Sequence, residues 1–261
     1  MNLRQARRRR ATDDLIDRVA LDEFEAFHGE VKLSPVAVVI AAYKEVDNIA
    51  NVMASLPQTL CGLDAAAVVV IDGEEDGAAA IIRDAGGYAV IAPVNRGQGA
   101  ALRLGYRVAR DYGATYIVTA DADGQSDPTD LAVVLSPVVE GSADFVNGSR
   151  RLGRTESTDQ VRNLGVIVYA TIISALCGTT VTDTANPIRA MRAVLTEHLT
   201  LEEPQYQASE LLISAILSGA RFAERPVTMR ARTAGTSKKG GNLVYGYRYG
   251  TVLARTYLRE R

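Results

Sequence analysis

The chain has 261 residues, of which 47% are hydrophobic and 23% charged, with a formal net charge of −2. That length fits one large α/β domain or two small ones, at about 150 residues per domain, with enough apolar content for a core. The net charge argues neither for nor against nucleic acid, and no nucleic-acid partner is expected.

The charge is unevenly placed. Arg4, Arg7, Arg8, Arg9 and Arg10 crowd the N-terminus, and Arg225, Arg230, Arg232, Lys238 and Lys239 form a second basic group. The first group suits an arm that is solvated or drawn to an anionic surface, or a disordered tail. Cys61 and Cys177 sit in apolar settings without a CxxC pattern, so both are expected to be buried reduced thiols in a reducing cytoplasm. No apolar h-region follows the basic N-terminus, which excludes a signal peptide there. The longest apolar stretch, Leu164 to Cys177, is shorter than the roughly 20 residues a spanning helix needs. A soluble protein, or one lying on the inner face of a membrane, is expected.

Residues 1–33 look like a polar, partly helical leader. Residues 34–241 form one α/β domain, and 242–261 a C-terminal segment unable to cross a bilayer. Within the domain, Val36 to Ala42 is a short apolar run that predicts a buried strand. Ile49, Val52, Met53 and Leu56 follow at helical spacing. Ala67 to Ile71 predicts a second strand, Ala78 to Asp84 a helix stopped by Gly86-Gly87, and Tyr88 to Ile91 a third strand. A helix over Gly99 to Asp111, a strand over Thr115 to Thr119, a helix over Pro128 to Glu140 and a strand over Asp144 to Asn147 continue the alternation. Further on, Arg162 to Cys177 and Glu210 to Leu217 predict helices, Arg221 to Arg230 a strand, and Thr233 to Asn242 a loop. Strands alternating with helices at this spacing imply a mostly parallel sheet covered on both faces. Ligands of such sheets bind beyond the carboxyl ends of the strands.

The residues placed there carry the chemistry. Tyr43 and Glu45 follow the first strand, Asp72-Gly73 the second, Asn95-Arg96-Gly97 the third and Asp121-Ala122-Asp123 the fourth. Two carboxylates one residue apart on a turn can share one hard divalent cation, Mg²⁺ or Mn²⁺. Asp127, just before Pro128, suits a helix cap. Gly97-Gln98-Gly99 at a helix start could bring backbone N–H groups to a phosphate. It is not the G-x-G-x-x-G fingerprint, and the chain has neither a Walker A sequence nor a G-x-S-x-G elbow. Dehydrogenase, P-loop NTPase and α/β-hydrolase readings lose support accordingly.

Taken in order, the strand-end segments resemble those of inverting glycosyltransferase family 2, with its GT-A (nucleotide-diphospho-sugar transferase) fold. The nearest likeness is to the dolichyl- and polyprenyl-phosphate sugar synthases, dolichyl-phosphate mannose synthase among them. The opening Val38-Val-Ile-Ala-Ala-Tyr-Lys-Glu-Val-Asp-Asn-Ile49 resembles V-V-I-P-T-Y-N-E-x-x-N-I, and Val69 to Gly73 resembles the start of V-V-D-D-G-S. Asn95 to Leu102 resembles N-x-G-K-G-A-A-L, and Asp121 to Pro128 resembles D-A-D-G-Q-H-D-P, with its DXD motif. Gly148-Ser149-Arg150, Val181 to Thr184, and Arg232 to Lys238 (R-x-x-G-x-S-K) follow in the family's sequence.

The resemblance implies a hexosyl-type transferase and a set of roles. Ala41, Tyr43, Glu45 and Asp72 would hold the base and ribose of a UDP- or GDP-linked sugar, with Gly99 and Ala122 also at the donor. Asp121, Asp123 and Gln125 would surround the metal, Asp123 and Arg150 would act in catalysis, and Arg150 and Arg162 would face phosphates. Arg232, Ser237 and Lys238 would close over the diphosphate. A polyprenyl phosphate acceptor is already an anion and needs little general-base help; a hydroxyl acceptor, on a polysaccharide or secondary metabolite, needs a carboxylate base. Glu210 and Asp183 are the candidates for that base, and a cap or core ion pair is the alternative for each. Ala41-Ala42, Lys44, Ile71, Glu74 and Ala185-Asn186-Pro187-Ile188 depart from the family pattern. They bear on the choice of nucleotide, sugar and acceptor, and leave a nucleotidyltransferase or a non-catalytic nucleotide-sugar binding protein as alternatives. Leu164 to Cys177 suits either a core helix or one beside a lipid tail at a membrane face. Homo-oligomerisation stays open.

Overall fold

The computed structural model describes residues 3–73, 76–156, 160–230 and 242–261. The chain begins with α1 (Leu3–His28). Then come β1 (Val36–Ala42), α2 (Val46–Ser55), β2 (Thr59–Leu60), β3 (Leu63–Asp72), α3 (Ala78–Asp84), β4 (Tyr88–Ala92), α4 (Gln98–Asp111), β5 (Tyr116–Asp121) and α5 (Asp130–Val139). The second half holds β6 (Phe145–Thr155), α6 (Gln160–Cys177), β7 (Arg189–Arg192), α7 (Leu195–His198), α8 (Gln207–Leu217), β8 (Phe222–Met229) and α9 (Asn242–Glu260).

The sheet runs β2-β3-β1-β5-β7-β6-β8, with β4 also paired to β3. Strands β4, β3, β1 and β5 are mutually parallel, as are β6 and β8. Strand β7 is antiparallel to both its neighbours, β5 and β6. The register sets Ala42 opposite Ile71, Asp72 opposite Ala92 and Ala41 opposite Asp121. One edge of the sheet therefore carries the ends of all four parallel strands.

The apolar runs form strands because both sides of the sheet are covered. Val36, Val38 and Ile40 of β1 pack with α2, α3 and α5 through Ile49, Ile82, Leu131 and Val134. Ala37 and Val39 of the same strand face the other way, into a core shared with α1, α4, α6, α8 and α9. The mostly parallel sheet with helices on both faces is thus the architecture that the alternating pattern predicts.

Several elements differ from the sequence reading. The polar leader forms the 26-residue α1, and its Ala20 and Phe24, one turn apart, are fully or almost fully buried in the core. Strand β6 runs on to Thr155 because β8 pairs along it past a register shift between Ser149 and Arg154. Strand β7, with two arginines in four residues, has no apolar signature. Helix α9 was not foreseen either; its Tyr249, Val252, Leu253 and Thr256 form the buried stripe. The expectation of buried thiols is corrected: Cys61 is exposed and Cys177 partly so, and both are free. Cys61 occupies the β2–β3 turn, at φ 51°, where the chain reverses at the surface. No described helix is long and apolar enough to cross a membrane.

Candidate active site

Strand β5 delivers Asp121 to the strand-end edge. Ala122 turns inward and is 5% exposed, which anchors the turn, while Asp121 and Asp123 are half-buried on either side of it. Gly124 adopts φ 73° and lets the chain fold back, and the Gln125 amide donates to Asp123 Oδ1 at 3.1 Å. The loop is then stitched to the end of β8. The Arg230 amide donates to the Gln125 carbonyl at 2.9 Å, and Gln125 Nε2 donates to the Arg230 carbonyl at 3.2 Å. Arg230 pairs with Asp127 at 2.6 Å, and Asp127 also accepts the Thr129 amide at 3.0 Å just ahead of α5. Gln125 thus spends its side-chain amide on positioning the loop.

Beside this turn lies a cleft of about 240 Å³, lined by Asn48, Asn51 and Ser55 of α2 and by Asp121, Ser126 and Arg230. The Ser126 Oγ atom is buried there without a hydrogen-bond partner among the described residues. No group of three or more metal-ligating acids, histidines or cysteines exists among the described residues. Two carboxylates on an all-oxygen turn with an orphaned hydroxyl beside it match a cation of the Mg²⁺ type. Such an ion takes one or two protein carboxylates and completes its shell from water and substrate phosphates.

The neighbouring strand ends are more tightly committed. Glu45 begins α2: its carbonyl accepts the Asn48 and Ile49 amides, both at 2.9 Å, and its carboxylate accepts Asn48 Nδ2 at 2.8 Å. Tyr43 is 38% exposed, with Lys44 Nζ 5.5 Å from its ring centre. Asp72 is almost fully buried and accepts the amides of Arg96 at 2.9 Å and Gly97 at 2.8 Å. Burial pushes its carboxyl above the ordinary value, against the pull of those two amides and the Arg96 guanidinium.

The structure corrects the phosphate-cradle reading of Gly97-Gln98-Gly99. The Gly97 amide is taken by Asp72, and the Gly99 amide donates to the Pro204 carbonyl at 2.8 Å. A Cβ on Gly99 would sit 2.1 Å from the Glu203 carbonyl oxygen, and one on Gly97 would sit 2.5 Å from that of Pro204. These glycines let residues 203–204 close onto the start of α4.

Arg150 and Asp183 meet across 33 residues of sequence. Arg150 donates through Nε at 2.6 Å and Nη2 at 2.8 Å, and its amide adds a third bond at 3.1 Å, all to a fully buried Asp183 carboxylate. Burial pushes Asp183 up, but the Arg150 guanidinium and the Ala185 and Arg150 amides outweigh it and hold the carboxyl below its usual value. The same Arg150 therefore presents less of its fork to a phosphate than expected.

Glu224 of β8, which local sequence did not single out, organises this corner. Its carboxylate accepts the Thr182 amide at 2.8 Å, the Thr182 hydroxyl at 2.6 Å and Asn147 Nδ2 at 3.0 Å. The one local signal is an acid in the middle of a strand. Glu210 is placed differently from the general-base reading. Fully buried in α8, it accepts the amides of Glu202 at 2.7 Å and Glu203 at 3.0 Å and pairs with Arg259 of α9 at 2.9 Å. Its two oxygens hold the 200–206 loop and α9 together. Arg232, Ser237, Lys238 and Glu74 lie outside the described residues, as does the side chain of Arg162.

A mostly parallel sheet with an acidic turn at the end of β5 is the arrangement of the GT-A class of sugar-nucleotide transferases. Solved structures agree on the fold. The glucosyl-3-phosphoglycerate synthase of Mycobacterium tuberculosis, in complex with Mn²⁺, UDP and glucosyl-3-phosphoglycerate, superposes with a TM-score of 0.65 at 19% identity. The match covers 92% of this chain and 83% of that one. The same enzyme with Mg²⁺ and UDP gives a TM-score of 0.66 over 90% and 82% of the two chains, at 18% identity. Residues 37–200 match the model of glycosyl transferase family 2, and the chain belongs to that family. It is a glycosyltransferase. Among its relatives, a dolichyl-phosphate hexose transferase of Haloferax volcanii is 29% identical over 89% of this chain and 98% of its own length. A UDP-N-acetylglucosamine–dolichyl-phosphate N-acetylglucosaminyltransferase of Methanococcus voltae is 33% identical over 59% and 63%. An undecaprenyl-phosphate mannosyltransferase of Micrococcus luteus is 26% identical over 80% and 89%.

Proposed function

We propose that this enzyme transfers a sugar, with inversion, from a UDP- or GDP-linked donor to a polyprenyl or dolichyl phosphate, using Mg²⁺ or Mn²⁺, at the cytoplasmic face of a membrane. The observation that carries this reading is the nearly full-length likeness to the Haloferax dolichyl-phosphate hexose transferase. The site chemistry supports it. Asp121 and Asp123 would hold a cation that stabilises the charge growing on the departing nucleoside diphosphate. Tyr43, Glu45 and Asp72 lie on the same strand-end edge and would hold the nucleoside. The carboxylates of Asp183 and Glu210 are already committed to arginines and amides, which suits an acceptor that brings its own anionic oxygen and requires no base.

The surface supports a lipid acceptor as well. Leu164, Ile167, Val168 and Ile172 of α6 are each at least 39% exposed and follow one another at helical spacing. Exposed Arg151, Leu152 and Arg154 lie at the far end of β6, which runs on from Arg150. An apolar helical stripe, with cations shortly before it in the chain, fits the surface of an anionic bilayer.

The test is a product assay. The protein would be incubated with Mn²⁺, polyprenyl phosphate and a panel of UDP- and GDP-sugars, and lipid products read by mass spectrometry. One donor should yield a lipid phosphate-linked sugar with release of UDP or GDP. Transfer only to soluble hydroxyl acceptors, with no lipid-linked product from any donor, would contradict the acceptor; release of pyrophosphate would contradict the reaction.

A further inference from the structure

We infer that α1, which precedes the family-matching segment, is a positioning element of the donor site, acting through the ion pair between Asp17 and Arg96. The inference rests on the proposed donor site at the strand ends. Arg96 lies in the β4–α4 loop, and its side chain is only 8% exposed. A buried guanidinium is held in place only when acceptors meet it. Among the described residues, its carboxylate partners both come from α1. Arg96 Nη2 pairs with Asp17 Oδ1 at 2.5 Å, and Nη1 donates to the Asp13 carbonyl at 3.1 Å and lies 3.5 Å from Asp13 Oδ1.

The same residue is fastened at its other end. Its backbone amide donates to Asp72 at the tip of β3, and the next amide, of Gly97, donates to the second oxygen of Asp72. Arg96 therefore ties α1 to the residue proposed to hold the nucleoside. Asp13 extends the clamp. It lies 3.9 Å from Arg103 of α4, whose Nη1 donates to the Glu203 carbonyl at 3.0 Å, where the 203–204 segment covers Gly97 and Gly99. Loosening α1 frees the loop that fixes the Asp72 carboxylate, and the cost falls on donor binding.

The test compares variants by calorimetric titration with UDP and with GDP, each in the presence of Mn²⁺. Asp17→Ala should weaken the nucleotide that binds by at least about five-fold, and Asp17→Asn by less. Asp17→Glu, which keeps the charge, should restore affinity to within about two-fold of the parent. Glu25→Gln is the structural control. It loosens the bond from the Tyr112 hydroxyl, 2.5 Å, nearer the C-terminal end of α1 and away from the β4–α4 loop. It should lower the melting temperature and leave the dissociation constant unchanged. Equal affinity in Asp17→Ala and the parent, or an equal loss in Glu25→Gln, would overturn the inference. If Asp72→Ala and Asp123→Ala also bind nucleotide as the parent does, the donor-site reading itself fails, and this inference with it.

Discussion

Two turns follow parallel strands at the same edge of the sheet, one at 95–99 after β4 and one at 121–125 after β5. Both are polar, both contain glycine, and both looked capable of meeting a diphosphate. In the first, the Gly97 and Gly99 amides are consumed by Asp72 and Pro204, and the glycines exist to admit a neighbouring backbone. In the second, the backbone is pinned by Arg230 and by the buried Ala122, and two acids stand half-buried, Asp121 of them lining a cleft. What separates the two turns is what stands against them: the first is filled by the backbone of residues 203–204, and the second borders an open cleft. Substitutions at the two turns should therefore fail in different ways.

The largest effect is expected at Asp123. Asp123→Ala should lower turnover by about 10³-fold, the scale of losing electrostatic stabilisation of the leaving group, with the fold retained by circular dichroism. Turnover near the parent's would remove the metal assignment. Next comes Asp183→Asn, which leaves Arg150 without its carboxylate and should cost about 3–5 kcal/mol, the scale of breaking a buried pair. Its pH signature has a definite sign. The folded carboxyl lies below the ordinary aspartate value of 3.8, so its contribution is fully present above that pH and is lost as pH falls through the folded value. Melting temperatures from pH 3 to 6 should show a flatter acid limb in Asp183→Asn, and an unchanged slope would count against the pairing.

Gly99→Ala should be smaller and of the opposite kind to Asp123→Ala. Its Cβ meets backbone 2.1 Å away, so stability should fall by about 1–3 kcal/mol in denaturant titration, with nucleotide affinity lowered far less than by Asp123→Ala in the protein that remains folded. The smallest effect is expected at the β2–β3 turn, remote from the strand-end edge. Cys61 at φ 51° followed by Gly62 at φ 77° is a geometry that favours Asn-Gly, and Cys61→Asn should stabilise by a few tenths of a kcal/mol, about 0.3, without touching activity.

The legible parts of the molecule are those whose cause is local. Strands β1, β3, β4 and β5 stand out as apolar runs because both their faces are buried, and the acids of the 121–123 turn are adjacent in the chain. Strand β7 was hidden because Arg189 is buried through Asn147, 42 residues away, so its burial has no local trace. The same holds for Arg150 with Asp183 and for Glu224 with Thr182: the residue types could be seen, but not that they neutralise one another. Glu210 and Gly99 looked like site residues for the same reason, since neither Arg259 nor Pro204 lies near them in helical or turn spacing that would announce the contact. Helix α1 carried a weak signal, Ala20 and Phe24 one turn apart, that its charged residues outweighed.

The most direct measurement is calorimetric binding of UDP and of GDP to the parent protein and to Asp123→Ala, with and without Mn²⁺. Binding of one nucleotide that needs the cation in the parent and is lost in Asp123→Ala is the predicted result. Equal binding with and without Mn²⁺, unchanged in Asp123→Ala, would contradict a metal-bridged donor site at the end of β5.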